Sequence, residues 1–165
     1  MESSNTLARM LVQYTNLNKN DKVLELGVGT GIITRHILEN IPNYNYLGVE
    51  KNEDYQKDLQ PLNLNIHYID ASDINDLAQN ENFQPTKIIA SLPWTLMDQE
   101  IINTIIKNSA DTMNKGTFSC YQYAFNSPAL KKKIYQALDN SFESIQTSKI
   151  IYRNLPPAEL ILARK

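Results

Sequence analysis

Short apolar runs alternate along the chain with longer stretches in which apolar positions recur every three or four residues. Val23, Leu24 and Leu26 form the first run, of the kind used by strands buried on both faces. Tyr44 to Val49, Leu64 to Ile69, Lys87 to Ser91 and Thr117 to Phe125 repeat it. Between these runs lie helical patterns. Leu7, Met10, Leu11 and Tyr14 share one face of a helix over about residues 3–15, capped by Ser3 or Ser4. Ile32, Ile33, Ile37 and Leu38 mark a second helix that runs to about Asn40 and stops before Pro42. Further helices are expected from Asn52 and Glu53, over Asp73 to Ala78, and through Met97, Ile101, Ile102, Ile105 and Ile106. Ser127 and Pro128 read as N-cap and first residue of another, which carries Lys131, Lys132 and Lys133. Strands alternating with helices predict βαβ units and a mostly parallel sheet. Phe142 to Tyr152 and Ala158 to Ala163 lack a helix between them and predict a closing antiparallel hairpin. The expected fold is α/β, one domain over residues 1–165, with seven strands and helices on both faces.

Composition narrows the class. At 165 residues the chain can bury a substantial core, and 42% hydrophobic with 21% charged residues is near the globular average. A net charge of −2 argues against strong general affinity for nucleic acid. One cysteine, Cys120, excludes an internal disulfide framework and suits a reducing compartment, and its apolar surroundings read as core. His36 and His67 lack partners at metal-ligand spacing, so no metal site is expected. No apolar run approaches the roughly 20 residues that span a bilayer, and the first five residues lack a signal-peptide pattern. A soluble cytoplasmic protein is expected, with peripheral contact at the inner membrane face as the alternative.

The chemistry starts where the first strand ends. Glu25-Leu26-Gly27-Val28-Gly29-Thr30-Gly31 places three glycines at alternate positions before a helix. Such a turn lets a ligand approach the backbone, with free helix N–H groups beyond it. The spacing is E-x-G-x-G-x-G and not the dinucleotide G-x-G-x-x-G. Glu50 follows the second strand, 19 residues after Gly31, close to the offset of about 20 at which a carboxylate meets ribose hydroxyls. Asp70 follows the third strand, so carboxylates close three successive strands. Ser72 is expected to cap the next helix, leaving Asp70 free.

The glycine turn with these two downstream acids resembles the class I S-adenosylmethionine (SAM)-dependent methyltransferases, over essentially the whole chain. The resemblance implies a Rossmann-like methyltransferase fold and SAM as cofactor, leaving S-adenosylhomocysteine. It implies that Glu25 faces the charged methionine part, with Gly27, Gly29, Thr30 and Gly31 in the turn. Glu50 and Lys51 would serve the ribose, Asp70 and Ala71 the adenine, and the N-terminal helix could cover the cofactor mouth. A nicotinamide dehydrogenase fits neither the glycine spacing nor the antiparallel finish.

Ser91-Leu92-Pro93-Trp94 occupies the position after the fourth strand where amino methyltransferases carry Asn/Asp/Ser-x-Pro-aromatic. It implies a nitrogen acceptor, with Ser91 also touching the cofactor. Two families share it. The rRNA adenine dimethyltransferases resemble this chain in the turn and the Leu-Pro-aromatic element, but have Asn at Ser91, a helical RNA domain and a basic surface. The bacterial phospholipid N-methyltransferases add Ser3-Ser4 before Leu7-Ala8, Tyr121-Gln122-Tyr123 ahead of Ser127-Pro128, and Arg153-Asn154-Leu155-Pro156-Pro157-Ala158. That resemblance implies a phosphatidylethanolamine-type acceptor, with Arg153 on the lipid phosphate and Trp94, Tyr121 and Tyr123 around the ammonium. Strand alternation puts the two tyrosines on one face, and at least one of them is expected in the core. Members of that family usually carry an additional basic amphipathic N-terminal helix, which this sequence lacks, so weak membrane docking or a small soluble amine is expected. A SAM-binding partner protein without catalysis is a further alternative.

Overall fold

The computed structural model describes residues 4–165. Its strands are β1 (Val23–Leu26), β2 (Tyr46–Glu50), β3 (Ile66–Tyr68), β4 (Lys87–Ala90), β5 (Thr117–Tyr123), β6 (Ser144–Thr147) and β7 (Ala158–Arg164). They form one seven-stranded sheet in the order β3-β2-β1-β4-β5-β7-β6. β3, β2, β1, β4 and β5 run parallel, while β7 pairs antiparallel with both β5 and β6. The α/β sheet with its closing hairpin is as the alternation of patterns predicts.

Alternation along the strands explains the two cores. Leu24, Leu26, Leu47, Val49, Ile88, Ala90, Phe118, Cys120, Ile161 and Ala163 face one side. There they meet α4 (Ile74–Asn80), α5 (Gln99–Thr112) and α6 (Pro128–Asp139). Val23, Tyr46, Ile89, Tyr121 and Leu160 face the other side and meet α1 (Asn5–Thr15) and α2 (Ile32–Leu38). Cys120 is fully buried, and burial raises its thiol pKa far above the ordinary value.

Local chemistry shifts several boundaries. Ser4 caps α1 by accepting from the Leu7 amide, while Ser3 lies outside the described residues. The helix expected after Asn52 breaks into a 3₁₀ turn, then α3 (Gln56–Leu59), then a second 3₁₀ turn containing Pro61. β5 stops at Tyr123, because the next residues turn back through an Asn126 amide to Tyr123 carbonyl bond. β6 covers only the middle of its predicted run. Phe142 is packed in the core ahead of it, and after it the Ser148 hydroxyl takes the Leu160 amide in place of a backbone carbonyl.

α1 lies flat on the sheet against α2, β5 and β7, and its described residues contribute nothing to the wall of the glycine-turn pocket. Its apolar face meets the sheet, which draws it off the strand ends.

Candidate active site

A pocket of about 330 Å³ opens where the parallel strands end. That volume falls at the lower end of small-molecule sites. Gly27, Gly29 and Thr30 form one wall; Ser91, Leu92, Pro93 and Trp94 form another; Tyr121 and Tyr123 close the third. Register explains the meeting. Leu26 lies beside Ala90 and Ala90 beside Cys120, so the residues that follow each strand rise from one edge.

Two glycines are needed here for different reasons. Gly27 has φ +81°, and a Cβ added to it would stand 2.6 Å from the Ser91 carbonyl oxygen. Gly29 has φ +56°, yet a Cβ there would meet nothing within 4 Å. It borders open pocket, as a backbone cradle for a ligand does.

Glu50 braces this cradle. Its Oε2 accepts from the Gly29 amide at 2.7 Å and its Oε1 from the Asn52 amide at 2.8 Å. The carboxylate thus ties the β2 end to the turn, just outside the pocket wall.

Glu25 does not line the pocket. Position 25 pairs with Gly48 in the β1–β2 register, on the α1/α2 side, and the side chain is fully buried beneath the turn. Its Oε2 accepts from the Tyr46 hydroxyl at 2.6 Å and from the Thr34 hydroxyl at 2.7 Å, while Oε1 has no partner among the described residues. Burial pushes its pKa up to about 7, against the pull of the Tyr46 and Thr34 hydrogen bonds. Tyr46 is raised well above its usual range by burial and by Glu25, so its hydroxyl stays a donor. A side chain at Gly48 would lie 2.7 Å from that hydroxyl, so Gly48 makes the room that Tyr46 fills.

Asp70, not Ser72, does the capping, and it caps the 3₁₀ turn Ala71–Asp73, while α4 begins after Asp73 without a side-chain cap. Asp70 Oδ1 accepts from the Ser72 amide and hydroxyl, both at 2.9 Å, and its Oδ2 takes the Lys51 ammonium at 2.7 Å. The Lys51 bond leads the causes that hold the Asp70 carboxyl below its ordinary pKa. Lys51 itself is exposed, Ala71 is buried in the core beside the turn, and Gly31 caps α2. All of these lie outside the pocket wall, along the rim toward β2 and β3.

The acceptor side is more mixed. Tyr121 and Tyr123 share a face, as alternation requires, with rings edge-on at 5.7 Å. Tyr121 is buried, and its hydroxyl lies 3.4 Å from Ser91 Oγ. Burial leads the causes that push Tyr123 up to about 12, so that ring stays neutral near pH 7. Trp94 lines the pocket but is 4% exposed and packed into the α4–α6 core, with its indole N–H unpartnered among the described residues. Arg153 is not at this pocket. The β6–β7 hairpin carries it to a second groove with Arg9, Met10, Tyr14 and Ile150, which shares no residue with the first. Tyr46, Thr34 and Asn126 belong to the site or its support without a sequence motif to announce them. Among the described residues no three His, Cys, Asp or Glu side chains group to hold a metal.

No protein-family model matches the chain. It is 26% identical over 111 residues to ribosomal RNA small subunit methyltransferase A of Fusobacterium nucleatum, covering 66% of this chain and 41% of that protein. It is 29% identical over 100 residues to the protein of the same name from Rippkaea orientalis, covering 56% and 37%. The chain thus spans about two fifths of the length of these relatives. Among solved structures, precorrin-6y C5,15-methyltransferase of Geobacter metallireducens superposes with TM-score 0.71 at 13% identity, over 96% of this chain and 87% of that one. Magnesium protoporphyrin IX methyltransferase of Synechocystis, with SAM bound, superposes with TM-score 0.70 at 13% identity, over 98% and 77%. The chain has the Rossmann-like fold of the class I SAM-dependent methyltransferases.

Proposed function

We propose that the protein is a SAM-dependent N-methyltransferase whose acceptor is the amine head group of a phosphatidylethanolamine-type phospholipid. The observation that carries the proposal is one pocket bounded by the glycine cradle on one wall and by Ser91, Trp94, Tyr121 and Tyr123 on the others. Gly29 leaves the open backbone cradle that SAM needs, with Glu50 fixed behind it. SAM supplies a methyl group already activated by its sulfonium. The chain's own residues therefore have to position and desolvate more than to transfer protons. Ser91 Oγ orients the acceptor amine so that its lone pair faces the methyl carbon. The acceptor enters as an ammonium and gives one proton to solvent before its lone pair is free, and the tyrosine faces suit the methylated ammonium that results.

The cofactor half is tested by calorimetry. Glu50→Ala removes two charge-assisted bonds that shape the cradle, and SAM affinity is expected to fall about tenfold to a hundredfold. Asp70→Ala is expected to lower it less, since Asp70 stands on the rim. Unchanged affinity in both variants rules the assignment out. Ser91→Ala is expected to lower kcat/KM for the amine about tenfold or more while leaving SAM affinity within a few-fold. An equal loss of SAM affinity would instead make Ser91 a cofactor residue.

A second reading, an rRNA adenine N-methyltransferase, draws on the similarity to the small-subunit rRNA enzymes. Ser91 in place of their Asn and the net charge of −2 weigh against it. Labelled SAM offered with phosphatidylethanolamine vesicles and, separately, with rRNA decides between the two. Label in lipid supports the first reading, label in RNA the second, and SAM binding with neither product leaves a catalytically silent binding protein.

A further inference from the structure

Four large apolar side chains stand almost bare at one edge of the molecule: Leu96 at 84% exposure, Phe125 at 78%, Tyr152 at 74% and Leu155 at 91%. Strand register puts them together. Ser91 follows Ala90, which pairs with Cys120; Tyr123 pairs with Ala158; the Ala124 amide donates to the Pro157 carbonyl at 2.8 Å. Residues 91–97, 124–127 and 148–157 therefore leave the sheet at the same end, the end at which the pocket opens. A cluster of large exposed side chains at a site mouth marks an interaction surface, whereas scattered single ones do not.

These tips are held by the fold. The Leu96 amide donates to the Pro93 carbonyl, the Asn126 amide to the Tyr123 carbonyl, and the Asn154 side chain to the Pro156 carbonyl at 2.5 Å. Asn154 is also tied to Ser4 at the start of α1. Apolar groups are thus presented to solvent by short, pinned loops.

Charge tells what they meet. The chain is acidic overall, with 18 carboxylate residues against 16 cationic ones, yet the three segments contain no Asp or Glu. They carry Lys149 and Arg153, both exposed and without an ion pair among the described residues. The acids at this end are Asp98, which follows the first segment and caps α5, Glu159, which sits against Lys131, and Glu50, Glu53, Asp54, Asp70 and Asp73, which follow β2 and β3 on the far side of the glycine turn. Bare apolar tips with two unpaired cations among them, their nearest acids engaged in a helix cap (Asp98) or an ion pair (Glu159), match the interfacial layer of an anionic bilayer.

We propose that this edge is a membrane-docking face, with Leu96, Phe125, Tyr152 and Leu155 entering the head-group layer and Lys149 and Arg153 meeting anionic lipid. The inference rests on the phospholipid reading and extends it, since docking in this pose sets the pocket mouth against the head groups. Arg153 then serves surface charge and not the acceptor's own phosphate, in keeping with its place outside the pocket.

Flotation with vesicles tests this without any turnover. The protein is expected to float with vesicles of phosphatidylethanolamine and phosphatidylglycerol, and about tenfold less of it with neutral phosphatidylcholine vesicles at low salt. Phe125→Ser with Leu155→Ser is expected to lower partitioning by about tenfold or more. Neither residue lines the pocket, so methylation of a short-chain, monomerically dispersed phosphatidylethanolamine should remain at the wild-type rate. Lys149→Glu supplies a second variant, expected to weaken binding to the anionic vesicles alone. Vesicle binding equal to wild type in all variants overturns the docking face, as does a wild-type protein that never floats, whether or not it captures rRNA. The two proposals separate cleanly. Flotation that the variants abolish, without lipid methylation, keeps the face and sinks the acceptor; methylation of the short-chain lipid without flotation does the reverse.

Discussion

Gly27→Ala is expected to eliminate measurable SAM binding and to lower Tm by about 10 °C. Two costs coincide at this position. A left-handed backbone costs an L-residue about 1–2 kcal/mol, and φ at Gly27 is +81°. The new methyl also arrives 2.6 Å from a backbone carbonyl oxygen, which cannot rotate aside as a side chain would. Overpacking of this kind costs about 1–3 kcal/mol. Together they amount to about 3 kcal/mol, and a domain of this size loses about 2–4 °C per kcal/mol. Relief requires moving residues 91–94 away from the turn, and that displacement separates the two walls of the pocket. Calorimetric titration and a thermal melt check both parts. A variant that melts at the wild-type temperature and still binds SAM would show that the Ser91 carbonyl can yield freely.

Glu25→Gln is expected to change how stability depends on pH by about 3 kcal/mol. The Glu25 pKa rises from 4.5 to about 7 on folding, because burial opposes its charge. The native state therefore holds a proton that the unfolded chain has released, throughout the interval between those two values. The stabilising term is fully present below pH 4.5, declines as pH rises, and is gone above about 7. An upward shift of this size corresponds to about 3 kcal/mol. Gln keeps the accepting oxygen for Tyr46 and Thr34 but cannot ionise. The wild-type and variant stability curves should therefore diverge between pH 4.5 and 7, with the variant gaining relative to wild type as pH rises. Denaturant titrations at pH 4, 6 and 8 read this directly. Parallel curves would mean that Glu25 ionises normally in the fold.

The fold was legible because both faces of the central strands are buried, which leaves a short, mostly apolar run at each. Helices on two sides follow from the same fact. The glycine turn was legible because so few other residues tolerate its backbone. What sequence could not give were contacts fixed by register. Glu25 sits beside Gly48, and Tyr46 reaches it only because β2 lies parallel to β1 at that offset. A carboxylate next to a glycine turn therefore reads as a ligand group when it is a buried brace. The choice of Asp70 over Ser72 as cap depends on backbone angles, with Asp70 extended at φ −70°, ψ 141° and the turn beginning after it. Arg153 lies away from the glycine-turn pocket for a topological reason. Its hexapeptide is local, but the hairpin that carries it crosses to the outer edge of the sheet.

The order of the last three strands bears on how the molecule assembles. β7 lies between β5 and β6, so β6 touches no other strand until the final segment of the hairpin has arrived. Until then the outer edge of β5 is open, with the amides and carbonyls that face β7 unpaired. An unprotected edge of that kind is a template for pairing with a second chain. The β5–β7 pairing joins residues 117–123 to 158–164 across the intervening helix and strand, a longer loop to close than β1–β2 or β4–β5 requires, though shorter than that between β1 and β4. Completion of this side of the sheet thus waits on β7, and until it pairs the outer edge of β5 is open to a second chain.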